Sequence, residues 1–187
     1  MRKLFCVLTL LSLCWVGMHA VRPAQVAAAK TATVAVVFLG SLEYQQRDYY
    51  EIAAETLRKR FDEPKFKLIV GEHPQHVFNR YSDKQGLTPG EVPNEDKLVD
   101  FAWTHSFDQV LFLLMTAPSV KSNEITIQWE NAEVTLTGRA ILIDSRRRIK
   151  RSDASTTETV RMYHRSAAKK AVFRKALESL RDQLSGS

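Results

Sequence analysis

Residues 109–117 read Gln-Val-Leu-Phe-Leu-Leu-Met-Thr-Ala, the most apolar run after position 30, and Pro118 stops it. The run is short and apolar at successive positions, which predicts a strand covered on both faces in the middle of a sheet. Residues 33–39, Thr-Val-Ala-Val-Val-Phe-Leu, have the same character and close on Gly40 and Ser41. Val36, Phe38, Leu111 and Leu113 are therefore expected in adjacent, fully buried strands.

The rest of the chain is read outward from these two strands. Between them, residues 48–61 place Tyr49, Ile52, Ala53, Leu57 and Phe61 at helical spacing, with Arg58, Lys59 and Arg60 at the favourable end of the helix dipole. Pro64 ends that helix. A strand is predicted over 66–72, followed by a loop rich in turn formers (Gly86, Pro89, Gly90, Pro93). Asn94 then caps a helix with Glu95 and Asp96 in its first turn and Leu98, Phe101, Ala102 and His105 on its inner face. After Pro118 the period changes to two. Ile125, Ile127 and Trp129 alternate with polar residues, as do Val134, Leu136, Gly138, Ala140 and Leu142, the pattern of half-exposed antiparallel strands. A further strand is expected over 155–163. Ser166 is read as the cap of a last helix lined by Val172, Phe173, Ala176, Leu177, Leu180 and Leu184. The fold class is α/β (α+β), one mixed sheet in the order β-α-β-α-β, then an antiparallel meander and a C-terminal helix packed on the sheet.

The first residues read as an export signal. Arg2 and Lys3 precede an uncharged run over 4–18, the length of a secretory h-region and short for a bilayer span. Ala27, Ala28 and Ala29 offer small residues for cleavage after Ala29, with Ala20 the second choice. Residues 1–29 are thus expected to be a signal peptide and 30–187 a single globular domain, periplasmic or extracellular and soluble, touching a membrane at most peripherally. Cys6 and Cys14 both lie inside the signal, so the remainder has no thiol and no disulfide. A bulky Leu13 stands before Cys14, where a lipid-attachment signal has a small residue.

Charge is unevenly spread. Residues 30–138 hold 11 basic and 16 acidic residues, a balance of −5, whereas residues 139–187 hold 13 and 5, a balance of +8. Arg146, Arg147, Arg148, Lys150 and Arg151 concentrate five of these cations in six positions, a candidate binding patch for an anionic partner. The competing reading is a solvated turn. An envelope protein or an anionic surface polymer is the expected partner. Nucleic acid is not, because the run has no interleaved aromatic to stack on bases.

The layout resembles a known group. An apolar strand leads through a helix to the next strand, and a helix runs into Phe107-Asp108-Gln109-Val110-Leu111. An alternating strand ends in Ala140-Ile141-Leu142-Ile143-Asp144 before a charged turn, and Ala167-Ala168-Lys169-Lys170-Ala171 opens the closing helix. Over most of residues 31–184 this resembles the bacterial envelope families that share the fold of the TolB amino-terminal domain. They include the curli-secretion channel lipoproteins and the outer-membrane lipoprotein activators of peptidoglycan synthases. The resemblance implies binding, assembly or scaffolding at the envelope without catalysis. The chain departs from that pattern in lacking a lipid-anchor cysteine context and in placing Ser145-Arg146-Arg147 where a Gly-containing turn is commoner.

Enzyme signatures are sparse. Gly40-Ser41-Leu42 is not a nucleophile elbow, and no phosphate-binding glycine loop follows the signal. Glu130, Glu133 and Asp144 are the carboxylates that a hydrolytic pair would draw on. Glu72, His73 and His76 are close in sequence, but Pro74 between the histidines argues against a helix that would align them, and a loop is expected there. No metal site or cofactor is implied. Tyr44, Tyr49 and Tyr50 cluster at the entry of the first helix. They, Trp103 and Trp129 are of the kind that stacks on sugar rings or anchors a partner but more often closes a small core. Core is the reading for Trp129, while Trp103 lies beside the apolar stripe of its helix. The alternative to a non-catalytic envelope module is a small secreted hydrolase or ligand-binding protein with a cleft under a 73–93 loop.

Overall fold

The computed structural model describes residues 31–126 and 129–185, and the side chains among them outside 122–130 and 185. The expectations for segment 1–29, for Ile127, and for the side chains of Ile125, Trp129 and Glu130 lie outside the described residues. The described elements are β1 (Ala32–Gly40), a 3₁₀ turn (Leu42–Tyr44), α1 (Arg47–Arg58), β2 (Phe66–Ile69), α2 (Glu72–Lys84), α3 (Glu95–Thr104), β3 (Gln109–Met115), β4 (Ser119–Thr126), β5 (Trp129–Asp144), β6 (Ile149–Met162) and α4 (Arg165–Ser185).

They build one mixed sheet. β1 pairs in parallel with β2 on one side and β3 on the other, and Val36 lies opposite Leu111 and Phe38 opposite Leu113. All four side chains are buried, as the apolar runs require. β5 is antiparallel to β3 through residues 138–144 and to β4 through its earlier half, so β3 and β4 follow one another along the same side of one long strand. β6 returns along its other side.

The apolar residues sort into two cores. On one face, α1 and α4 cover Val34, Val36, Phe38, Leu111, Leu113, Leu136 and Leu142, and Phe173 is stacked on Tyr44 with Tyr49 edge-on. On the other face, α2 and α3 bring Phe78, Tyr81, Leu98 and Phe101 against Val37, Val110, Phe112, Ile141 and Ile143. Asn94 caps α3 as expected, its Oδ1 accepting the Lys97 N–H at 3.0 Å. Gly40, at φ +84°, ends β1 where a Cβ would lie 2.5 Å from the Met115 carbonyl oxygen, so only glycine fits.

Three expectations need correction. The segment after residue 71 is a helix, α2, through Lys84. Pro74 sits in its first turn, where the backbone N–H has no helical partner to lose. The loop is therefore confined to residues 85–94. β6 begins at Ile149 instead of 155, which divides the basic run between the 145–148 turn and a strand. The last helix starts at Arg165, so Ser166 lies within its first turn.

Candidate functional site

The five basic residues predicted as a patch come together at one end of the sheet, but most of their charge is engaged. Asp144, buried at the end of β5, accepts the Arg147 backbone N–H at 3.1 Å and faces the Arg151 guanidinium at 3.2 Å. Arg146 pairs with Asp108. Lys150 reaches Glu95 at 2.7 Å and Asp153 at 3.3 Å, hydrogen bonds that raise its pKa. Arg148 takes a left-handed backbone, φ 55°, and lays its guanidinium 3.3 Å from the centre of the Trp103 ring. Of the five, only Arg147 has a side chain without a partner among the described residues.

Asp108 is the hub of this end. It accepts the Thr33 N–H at 2.8 Å and the Thr33 hydroxyl at 3.0 Å, and its own N–H donates to Thr33 Oγ1 at 2.9 Å. Burial opposes ionisation there, but the Thr33 donors and the Arg146 guanidinium outweigh it and hold the carboxyl below its ordinary range. The start of β1, the start of β3 and the turn after β5 are thereby tied to one carboxylate.

Beside the turn lies a cavity of about 280 Å³ lined by Trp103, His105, Phe107, Asp108, Ser145 and Arg146 among others. His105 Nδ1 is 2.9 Å from the Phe101 carbonyl oxygen and donates to it, leaving Nε2 for other contacts. Trp103, whose place the sequence left open, is 53% exposed and half of a cation–π pair. The signal for it was an aromatic just off the apolar stripe of its helix. The partner 45 residues later in the chain could not be read.

The alternative cleft also exists. A cavity of about 210 Å³ lies between α2 and the 85–91 loop, with Gln75, Asn79, Ser82, Asp83 and Glu91 on its wall. Gln75 acts as a stand-in strand partner beyond the end of β2. Phe38 N–H donates to its Oε1 at 2.9 Å, and its Nε2 donates to Phe38 O at 3.1 Å. Two-carboxylate hydrolysis needs one acid with a raised pKa. Glu91 is displaced the other way, because the Thr88 N–H and hydroxyl each donate to it at 3.0 Å. Glu133 faces Arg161 and Asp144 faces Arg151. Among the described residues no three His, Cys, Asp or Glu side chains gather as metal ligands, and His73 and His76 stand exposed on α2. No helix among them is long and apolar enough to cross a membrane.

No protein-family model and no curated protein sequence matches the chain. Among solved structures it is similar to lipoprotein GNA1162 from Neisseria meningitidis, with 16% identity over 83% of this chain and 99% of that one and a TM-score of 0.44. It is similar to the PelC dodecamer subunit from Paraburkholderia phytofirmans, with 17% identity over 80% and 89% and a TM-score of 0.40. A third is the LpoB C-terminal domain from Salmonella enterica, with 15% identity over 71% and 87% and a TM-score of 0.37. Bacterial lipoproteins thus stand among its structural neighbours, as the envelope-type resemblance anticipates. No activity follows from likeness at this level.

Proposed function

We propose that the chain is an exported, non-catalytic binding or assembly module of the bacterial envelope that engages an anionic partner at the surface around the 145–148 turn. The observation that carries this reading is the pairing of Arg148 with a half-exposed Trp103 beside the uncommitted guanidinium of Arg147. A stacked Arg and Trp form a pre-organised surface, and a neighbouring free cation supplies long-range attraction. Arg146, Lys150 and Arg151 complete the patch while also holding the turn in place. Association through the open edge of β6 fits less well, because Lys150, Arg151, Asp153, Glu158 and Arg161 blunt that edge against strand pairing.

The test compares capture of partners from envelope extract by the parent protein and by an Arg147→Ser/Arg148→Ser variant, at low and high salt. The expected result is a salt-sensitive set of partners that the variant loses while keeping its thermal midpoint. The same partners with the same salt response in both proteins would sink the reading.

A further inference from the structure

A second cavity shares one wall residue with the cavity beside the turn. A cleft of about 520 Å³ between α2 and α3 is lined by Arg80, Lys84, Gln85, Tyr81, Thr104 and His105, and His105 lines both. On α2, His73, Val77, Arg80 and Lys84 are spaced four, three and four residues apart and so share one face of the helix. His73 stacks edge-on against Phe107 of the turn cavity at 6.4 Å, which puts the start of that face at one cavity and Lys84 in the other. From His73 to Lys84 this helix face runs about 16 Å at 1.5 Å per residue, the length of a few sugar units, and together with the two cavities we treat it as one groove.

We infer that this groove binds a carboxylated glycan, an inference that rests on the reading of the turn as an anion-binding surface and names its ligand class. Three observations converge. First, Arg80 and Lys84 line the cleft, are exposed and have no carboxylate partner among the described residues, and Arg147, likewise without one, follows Arg146 of the turn cavity in the chain. Two carboxylates lie on the wall: Asp100 accepts the neutral Tyr81 hydroxyl at 2.9 Å, which does not balance its charge, and Asp108 is held by Thr33 and Arg146. Two free cations in the cleft thus face one carboxylate without a cationic partner, a positive balance.

Second, Trp103 lines the turn cavity whereas Arg148, which covers part of its ring, does not, so a portion of the indole is bare toward the cavity. A flat aromatic beside polar groups suits the C–H face of a pyranose ring. Third, Ser145 lines the same cavity, is 4% exposed, and its hydroxyl has no hydrogen-bond partner among the described residues. Buried hydroxyls are rarely left so, and because the oxygen itself has almost no accessible surface a ligand hydroxyl reaches it only if the cavity wall gives way. Gln85 and Thr104 add neutral polar groups along the cleft. A peptide of successive carboxylates carries the same charge as such a glycan but has no ring face for Trp103 and no hydroxyls for Gln85 and Thr104.

The experiment titrates the full chain calorimetrically at physiological salt with tetragalacturonate, with tetraglutamate of equal charge, and with neutral maltotetraose. Tetragalacturonate is expected to bind about tenfold tighter than tetraglutamate, with maltotetraose weaker still. Arg80→Gln/Lys84→Gln, which touches no ion pair, is expected to weaken tetragalacturonate by at least about tenfold at an unchanged thermal midpoint. Trp103→Leu should erase the preference over tetraglutamate, and Arg147→Gln serves as a second variant that leaves the Arg148 stack intact. Equal binding of both anions would overturn the glycan assignment while leaving an anionic partner standing. Binding of tetragalacturonate that ignores the Arg80 and Lys84 changes would overturn the groove. Binding of neither anion would overturn the glycan and also count against the reading on which it rests.

Discussion

The two ends of β5 obey different rules. From Ala140 to Asp144 successive residues are buried, because β3 and β6 flank this end and helices cover both of its faces. From Asn131 to Arg139 burial alternates: α4 covers Ala132, Val134 and Leu136, while Thr135, Thr137 and Arg139 face outward. The sequence changes with the environment, from Val-Thr-Leu-Thr to Ala-Ile-Leu-Ile, as expected where a sheet passes from one covered face to two. The sharpest way to break this contrast lies at the doubly covered end. Leu113 is fully buried and lies opposite Ala140, so Leu113→Ala should cost roughly 2–5 kcal/mol in chemical denaturation. A midpoint equal to the parent's would show that this end is not core.

That contrast also marks what could be read without coordinates. The apolar runs, the cap at Asn94 and the stripe of α4 were legible because each depends on neighbours within a few turns or one strand. α2 was not, since Pro74 usually argues against a helix and the favourable signal, Gln75, Phe78 and Ser82 on one buried face, has two polar members. The charge split between the two parts of the chain was legible, but its main consequence was not. Lys169 reaches Glu43 and Lys170 reaches Asp48, each at 2.6 Å, and Arg174 reaches Glu55 at 2.8 Å. Arg146, Lys150 and Arg161 likewise find Asp108, Glu95 and Glu133. Much of the basic segment is therefore answered by the acidic one across the fold. Residues 28 to 126 positions apart make these pairs, a separation at which sequence pattern carries no register.

Asp108 gives the next largest effect and tests how firmly the turn is joined to the doubly covered end. Asp108→Ala would leave the Thr33 N–H and hydroxyl unpaired in a partly buried place, a loss of roughly 1–3 kcal/mol. Its folded pKa lies below the unfolded one, so its contribution is complete above the ordinary carboxylate range, about 3.9, and disappears as pH falls through the lower folded value. The parent should lose stability over that acid interval more steeply than the variant. Parallel pH-dependence in the two proteins would show that Asp108 is not held as described.

A smaller effect is expected where α4 meets α1. Arg174 and Glu55 are 43% and 66% exposed, so their ion pair is screened, and a double-mutant cycle of Arg174→Gln and Glu55→Gln should return about 0–1 kcal/mol. Lys169 and Glu43, at 21% and 28%, lie nearer the Tyr44 and Phe173 stack and should couple more strongly than the outer pair. Equal coupling in the two cycles would mean that burial does not grade these contacts.

The smallest effect belongs to the open face of the ribbon. Thr135 lies directly opposite Thr159 and Thr137 opposite Thr157, with hydroxyls 2.9 and 3.0 Å apart. Water can replace either hydrogen bond on a solvated face, and valine keeps the branched shape that suits a strand. Thr137→Val/Thr157→Val should therefore move stability by no more than about 0.5 kcal/mol, the ordinary range for surface substitutions. Leu136 is the adjoining residue, turned to the opposite face and fully buried, and Leu136→Ala should cost roughly 2–5 kcal/mol. Successive positions on one strand would then differ severalfold in cost. If the threonine pair instead costs as much as Leu136, the outer face of the ribbon is covered in solution, and the contrast between the two ends of β5 belongs to the isolated chain alone.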